Sequence, residues 1–412
     1  MDRNRLNLLF LSPFPPSPPT FGAQRRVQGL IAALARRHQV TAVAVVTTDY
    51  DPRAAERAMR EYCHEVVLVP ARAWEGPVKR MLQLRSLFSP ESYVRGLYDL
   101  PGLRKALDRL LSARAYDVVT VELPFLARTR LAKAPRGERP PRLVLDEHNL
   151  EFDLARQQAR NEMGPARRVY NAINWRKIRR EETEIWSRFD GVAFCSDADQ
   201  ARARALVPSM RSAMVPNAVD VEYFKARPGD PPSDGRTVMF FGALNYFPNE
   251  DGVLYFLREV WPLIEKSHPQ ARLKIVGQQP TGEIAARRGP RIEIAGAVED
   301  LRPHLAAAAV SIVPLRIGGG TRFKILESMA MAKPVVSTTL GGEGIDAAPG
   351  RHLLLGDDAA SFAAAVGRVL DNPRLAASLG KEGRALVEER YSWDAAAQTL
   401  EGLYRELLAA PR

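Results

Sequence analysis

Residues 313–338 read VPLRIGGGTRFKILESMAMAKPVVST. A strand-like run closing at Pro314 leads into three glycines, Gly318, Gly319 and Gly320. Thr321, Arg322 and Lys324 follow, then an apolar helix-like stretch, then Pro334 and a second strand-like run. Strand, loop, helix, strand is the repeating unit of a parallel α/β sheet. The cations stand in the first turn, where a helix already carries partial positive charge. Such a turn suits a negative ligand. Glycines let the backbone take positive φ and let a ligand approach closely, and the first-turn N–H groups point outward toward an anion. Thr321 is placed to cap the helix. Arg322 and Lys324 add charge-assisted donors worth about 1.5–3 kcal/mol each in a sheltered site. Glu327, three residues past Lys324 on the same face, suits paired hydroxyls such as those of a ribose. Phosphate at the helix tip and hydroxyls one turn further on describe a nucleotide. The alternative is a glycine-rich turn with a Lys324–Glu327 surface pair. The G-x-x-x-x-G-K-[ST] spacing of a P-loop is absent.

The same rhythm extends outward. Leu6–Leu11 reads as a strand, Gln24–Arg37 as a helix and Val40–Thr47 as a second strand. Short buried-type strands follow at 66–69, 118–121, 143–145 and 191–195, with helical stretches between them, including 175–188. At 225–236 the texture changes to KARPGDPPSDGR, the composition of a linker. The rhythm then restarts with strands at 237–241, 272–276, 292–294, 310–314 and 334–338 and a helix over 252–266. Expected units are a first domain over 1–224, a linker over 225–236, a second domain over 237–391 and a last amphipathic helix within 392–412. Two parallel α/β domains predict a central cleft, with ligands at the carboxyl ends of the strands.

Of 59 Lys+Arg and 48 Asp+Glu, residues 1–220 hold 36 and 25, so the whole net charge of +11 lies there and residues 221–412 balance. This asymmetry points to an anionic partner or to solvated arginines on an ordinary surface. No zinc spacing or aromatic-interleaved basic stripe supports a nucleic-acid partner, and no metal-ligand cluster is visible. Two cysteines, Cys63 and Cys195, fit a reducing compartment. No apolar run approaches the ~20 residues that span a bilayer, and the N-terminal run lacks a signal-peptide pattern. The chain reads as soluble and cytoplasmic.

Three further clusters hold candidate ligands. In VLDEHNLEFD (144–153) His148 stands beside carboxylates just past a strand, able to position a substrate or handle a proton; the alternative is a structural histidine. In the opening loop Gly22 precedes a helix with Arg25 and Arg26 in its first turn; G-x-G-x-x-G is absent. In FFGALNYFPNEDG (240–252) the candidates are Gly242, Asn245 and Asn249, the last also suited to capping the next helix.

Taken in order, FFGALNYFPNEDGVLYFLREVWPLI, VPLRIGGGTRFKILESMAMAKPVVST, the later GGEG, MVPNAVDVEYF before the linker and YSWD near the end resemble the retaining glycosyltransferases of GT-B fold, glycosyltransferase family 4. The resemblance implies two Rossmann-like domains facing a cleft, a last helix crossing back onto the first domain, and a hexosyltransferase using a nucleotide-sugar donor without a metal. Its acceptor would be a glycan or lipid-linked hydroxyl, in polysaccharide or cell-surface glycan synthesis; the charge asymmetry, separately, suggests a peripheral contact of the basic half with an anionic membrane. Arg322 and Lys324 would face the donor diphosphate and Glu327 the ribose. His148 would stand near the donor sugar and Gly22 approach the phosphates. The departing diphosphate would help deprotonate the acceptor.

Two departures qualify the likeness. The first glutamate of the family's E-x7-E motif falls at Gly319, so sugar contacts would pass to backbone N–H groups of the 318–321 loop. The loop after the first strand of the second domain lacks the Arg and Lys many members carry there. Competing readings are a non-catalytic nucleotide-sugar binder or scaffold, kept open by Gly319, and an NDP-sugar 2-epimerase.

Overall fold

The computed structural model describes residues 5–71, 77–127, 131–161, 164–318 and 321–411. They form two compact units, Met1–Pro216 with Ala396–Arg412, and Asn217–Ala395.

The first unit is built on β1 (Asn7–Ser12), β2 (Gln39–Val46), β3 (Glu65–Pro70), β4 (Val118–Glu122), β5 (Arg142–Glu147), β6 (Gly191–Phe194) and β7 (Ser212–Met214). Their order is β3-β2-β1-β4-β5-β6-β7, every pair parallel. Runs such as LLFL and VAVV are buried because helices cover both faces of a parallel sheet. In the Gly22–Ala35 helix, Val27, Leu30, Ile31 and Leu34 recur at helical spacing and are buried. Strand order reverses between β1 and β4, where such sheets bind ligands. The β4–β5 register sets Glu122 beside Asp146 at the carboxyl ends.

The last helix, Trp393–Ala409, buries Ala397, Leu400, Leu403, Tyr404 and Leu407. Gly191 at the start of β6 makes room for it, since a Cβ there would stand 2.8 Å from Leu407 Cδ1. Tyr404 Oη meets Thr120 Oγ1 of β4 at 2.6 Å, both fully buried.

The second unit holds β8 (Thr237–Phe241), β9 (Arg272–Val276), β10 (Ile292–Gly296), β11 (Val310–Val313), β12 (Val335–Ser337) and β13 (Leu354–Leu355), in the parallel order β10-β9-β8-β11-β12-β13. Phe240, Phe256 and Phe362 pack one face, and Met239, Phe241, Ile325 and Met329 the other. Val219 and Phe224, read from sequence as first-domain residues, are buried in this second core, and the Val219 N–H donates to the Tyr391 carbonyl at 2.9 Å. Strands β7 and β13 escaped sequence reading because three and two residues show no periodicity. Among the described residues no helix is long and apolar enough to cross a membrane.

Tyr404→Phe removes the partner of a buried hydroxyl on β4. A loss of about 1–3 kcal/mol is expected, read as a lower urea midpoint; an unchanged midpoint contradicts the tie between the last helix and the first sheet.

Candidate active site

In the second unit the chain leaves β8 at Gly242, whose φ of +148° favours glycine. A Cβ there would stand 3.0 Å from Asn249 Nδ2 and 3.1 Å from Lys324 Nζ. Asn249 is not the cap of the Phe247–Tyr255 helix; Tyr246 holds that position. Its buried amide is a bridge instead: Nδ2 donates to the Ala243 carbonyl at 2.8 Å, and Oδ1 accepts from Lys324 Nζ at 2.7 Å. The ammonium also lies 4.1 Å from the centre of the Phe240 ring. Burial first, then the charge of Arg322, hold the Lys324 pKa well below its ordinary value. The sequence alternative of a Lys324–Glu327 surface pair is thus replaced by an inward lysine and a buried glutamate, 1% exposed.

The helix begins later than the sequence suggests, over Phe323–Ala330, with Arg322 rather than Thr321 at the cap position. Thr321 Oγ1 donates to the Gly344 carbonyl at 3.1 Å, and Asn217 Nδ2 donates to the Thr321 carbonyl at 2.9 Å, so Thr321 is held at two points. Gly318 has φ of +118°, and a Cβ there would lie 3.2 Å from an Arg322 Nη2. Gly242, Gly318, Thr321, Arg322, Lys324 and Glu327 thus line the loops and helix at the carboxyl ends of β8 and β11. Gly319 and Gly320 lie outside the described residues. Asn245, in the same loop as Gly242, donates its amide to Gln279 in the loop after β9. Sequence reading missed Gly277, where a Cβ would overlap the Gly242 carbonyl oxygen, and the Arg316–Asp251 pair, bidentate at 2.8 and 3.1 Å.

In the first unit Gly22 opens its helix, and Arg26 four residues later reaches the end of β5. Its guanidinium grips both oxygens of Asp146 at 2.8 and 2.6 Å and donates to the Val215 carbonyl at 3.0 Å. His148 Nε2 lies 2.9 Å from Glu122 Oε2 and 3.6 Å from Asp146 Oδ2. All four side chains are buried. Burial opposes ionisation of Asp146, yet Arg26 and His148 outweigh it and hold its carboxyl below the usual range. Burial, then the Asp146 charge, push Glu122 up. Burial alone would lower His148, but its bonds to Asp146 and Glu122 raise it to about 9. Glu147 turns the other way and accepts from the Trp186 indole at 2.8 Å. His148 is therefore held between two buried carboxyl groups, and its bonds to them favour its protonated form.

Glu122, Asp146 and His148 each offer an atom within 4.8 Å of the others, the dimensions of a metal site. The sequence reading saw no such group because 24 residues separate Glu122 from Asp146 on different strands. Both Asp146 oxygens are engaged by a cation already, so the donor set suits an ion-pair network better than a divalent ion.

Two family models match in order: glycosyltransferase family 4 over residues 21–223 and glycosyl transferases group 1 over residues 235–372. A GDP-mannose-dependent alpha-(1-6)-phosphatidylinositol monomannoside mannosyltransferase of Mycolicibacterium smegmatis is 26% identical over 415 residues, 94% of each chain. The first curated relatives are matched over only 57%, 49% and 42% of their own lengths. A sucrose-phosphate synthase from Thermosynechococcus elongatus superposes with a TM-score of 0.75 at 20% identity, covering 98% of this chain and 100% of that one. HepE of Anabaena in complex with UDP-glucose gives a TM-score of 0.64 at 15% identity, covering 98% and 100%. The chain belongs to the group 1, family 4 glycosyltransferases and has their GT-B fold.

The raised His148 pKa sets a sign. Its contribution to stability is complete below its ordinary 6.5 and is lost as pH rises through about 9. The melting temperature is expected to fall across that window and to fall less in His148→Gln; equal slopes contradict the buried imidazolium.

Proposed function

We propose that this protein moves a glycosyl group from a nucleoside-diphosphate sugar to an acceptor hydroxyl, with retention at the anomeric carbon, in polysaccharide, glycolipid or cell-surface glycan synthesis. The observation that carries this reading is Lys324, held beneath Gly242 by Asn249, next to Arg322 at the start of the following helix. Two cations and a helix N-terminus suit a diphosphate, whose charge would offset the burial that depresses Lys324. Glu327, one turn on, suits the ribose hydroxyls. GDP-mannose in the name of the Mycolicibacterium relative and UDP-glucose bound to Anabaena HepE support such a donor. The phosphatidylinositol mannoside in the former name supports a lipid-linked acceptor.

In the proposed reaction the bond from the sugar C1 to the diphosphate oxygen breaks and a bond from C1 to the acceptor oxygen forms. The acceptor proton passes to the departing diphosphate. Negative charge grows on that leaving group, so Arg322 and Lys324 bind the transition state more tightly than the ground state and raise kcat. They supply the charge stabilisation that a metal would otherwise give, and we take the transfer to be metal-independent. In the first unit His148, held in its carboxylate network, is the residue proposed to serve the sugar being transferred. Gly319, in place of the family glutamate, keeps a second reading open: a nucleotide-sugar binder without turnover.

Incubation with a panel of sugar nucleotides and acceptors, followed by proton NMR, is expected to give a product with the donor's anomeric configuration. Arg322→Ala is expected to lower kcat by about 10²–10³-fold. An inverted product overturns retention, isomerised donor without acceptor points to a 2-epimerase, and binding without transfer or hydrolysis favours the binder.

A further inference from the structure

The Pro77–Leu87 helix and the loop after it pack along the long Pro165–Trp186 helix of the same unit. Ser86 Oγ meets Tyr170 Oη at 3.2 Å, Lys177 Nζ donates to the carbonyls of Ser86 and Ser89, and Glu181 takes the Ser92 N–H and hydroxyl at 2.8 and 2.6 Å. The two segments therefore share one surface of the first unit, with Ser86, Asn174 and Glu181 turned inward. What they turn outward is apolar. Phe88 is 94% exposed, Leu84 64%, Val169 61% and Met81 57%, and Leu87 and Ile173 are exposed as well. Among the described residues these are six of the ten large hydrophobic side chains left exposed. Scattered exposed apolar residues need no explanation, whereas a cluster of this kind marks an interaction surface.

The surrounding charge identifies the partner. Residues 77–90 hold Lys79, Arg80 and Arg85 and no acid; residues 164–180 hold Arg167, Arg168, Arg176, Lys177, Arg179 and Arg180 and no acid. On the long helix Val169, Ile173, Arg176 and Arg180 recur at i, i+4, i+7 and i+11, one stripe with two apolar residues followed by two cations. We propose that this surface docks on an anionic lipid leaflet, with Met81, Leu84, Leu87 and Phe88 entering the acyl boundary and the arginines pairing with headgroup phosphates. A protein partner or a second copy would suit the apolar side chains but leaves the excess of cations without a purpose, although Arg180 also meets Glu184 at 3.6 Å and the Pro90 carbonyl.

The full chain is sedimented with vesicles of phosphatidylcholine alone or with about one-third phosphatidylglycerol. Binding to the anionic vesicles is expected to be at least about tenfold stronger, and to weaken as salt rises from about 0.05 to 0.5 M. The double variants Leu84→Ser with Phe88→Ser, and Arg80→Glu with Arg85→Glu, are expected to lose about tenfold or more. Arg53→Glu with Arg57→Glu makes the same charge change on an exposed face of the Pro52–Arg60 helix and is expected to keep binding. Circular dichroism confirms that each variant is folded. Equal binding to neutral vesicles, equal loss in both arginine pairs, or no vesicle binding together with dimers that Phe88→Ser dissolves would each overturn the proposal. Vesicle binding needs no donor, so its failure leaves the transfer reaction standing.

Discussion

Lys324 reaches the end of β8 where position 242 has no side chain to crowd it. A Cβ would fall 3.1 Å from its ammonium and 3.0 Å from the Asn249 amide that holds it. From this one constraint the second-unit site follows. Gly277 must also be bare, since it backs onto the Gly242 carbonyl. Asn249 must sit inside its helix rather than at the tip, so that one amide end ties to Ala243 and the other to the lysine. Lys324 then stands desolvated beside Arg322 at a helix terminus, a concentration of positive charge that water alone compensates poorly and a diphosphate compensates well.

The first unit solves the opposite problem. Acidic side chains at the carboxyl ends of β4 and β5 would repel one another, and Arg26 and His148 are the buried counter-charges that let them coexist. A buried pair of this kind is strongly destabilising when one partner is removed, by about 3–5 kcal/mol. Its value lies in fixing the orientation of His148 and favouring its protonated form. The last helix reaches the same strands through Tyr404 and Thr120, so the C-terminal segment supports the sheet that carries the histidine.

Much of this was legible in the sequence. The parallel α/β rhythm, the restart near residue 237 and the GGGTRFK loop are local patterns of apolar period and glycine placement. So was the family resemblance, carried by several motifs in order. What was not legible depends on partners distant in the chain. Nothing near Asn249 announces that it will meet a lysine 75 residues away, so its likeliest local role, a helix cap, was the wrong one. Thr321 failed for the same reason: its hydroxyl found the Gly344 carbonyl, and the helix began at Phe323. Glu122 drew no notice because a lone glutamate after a strand says nothing until the β4–β5 register sets it beside Asp146. The boundary after β7 was misplaced because Val219 and Phe224 belong to a core formed by later strands.

The central claim is that the junction of Gly242, Asn249 and Lys324 holds a nucleoside diphosphate. It is tested most directly by thermal unfolding of the wild type and Gly242→Ala with UDP, GDP, ADP, TDP and CDP in turn. At about a hundredfold over its dissociation constant the cognate nucleotide should stabilise the wild type by about 2.7 kcal/mol, and the variant, in which a methyl crowds the lysine, should show no such shift. Stabilisation that survives in Gly242→Ala, or none with any nucleotide in the wild type, would contradict it.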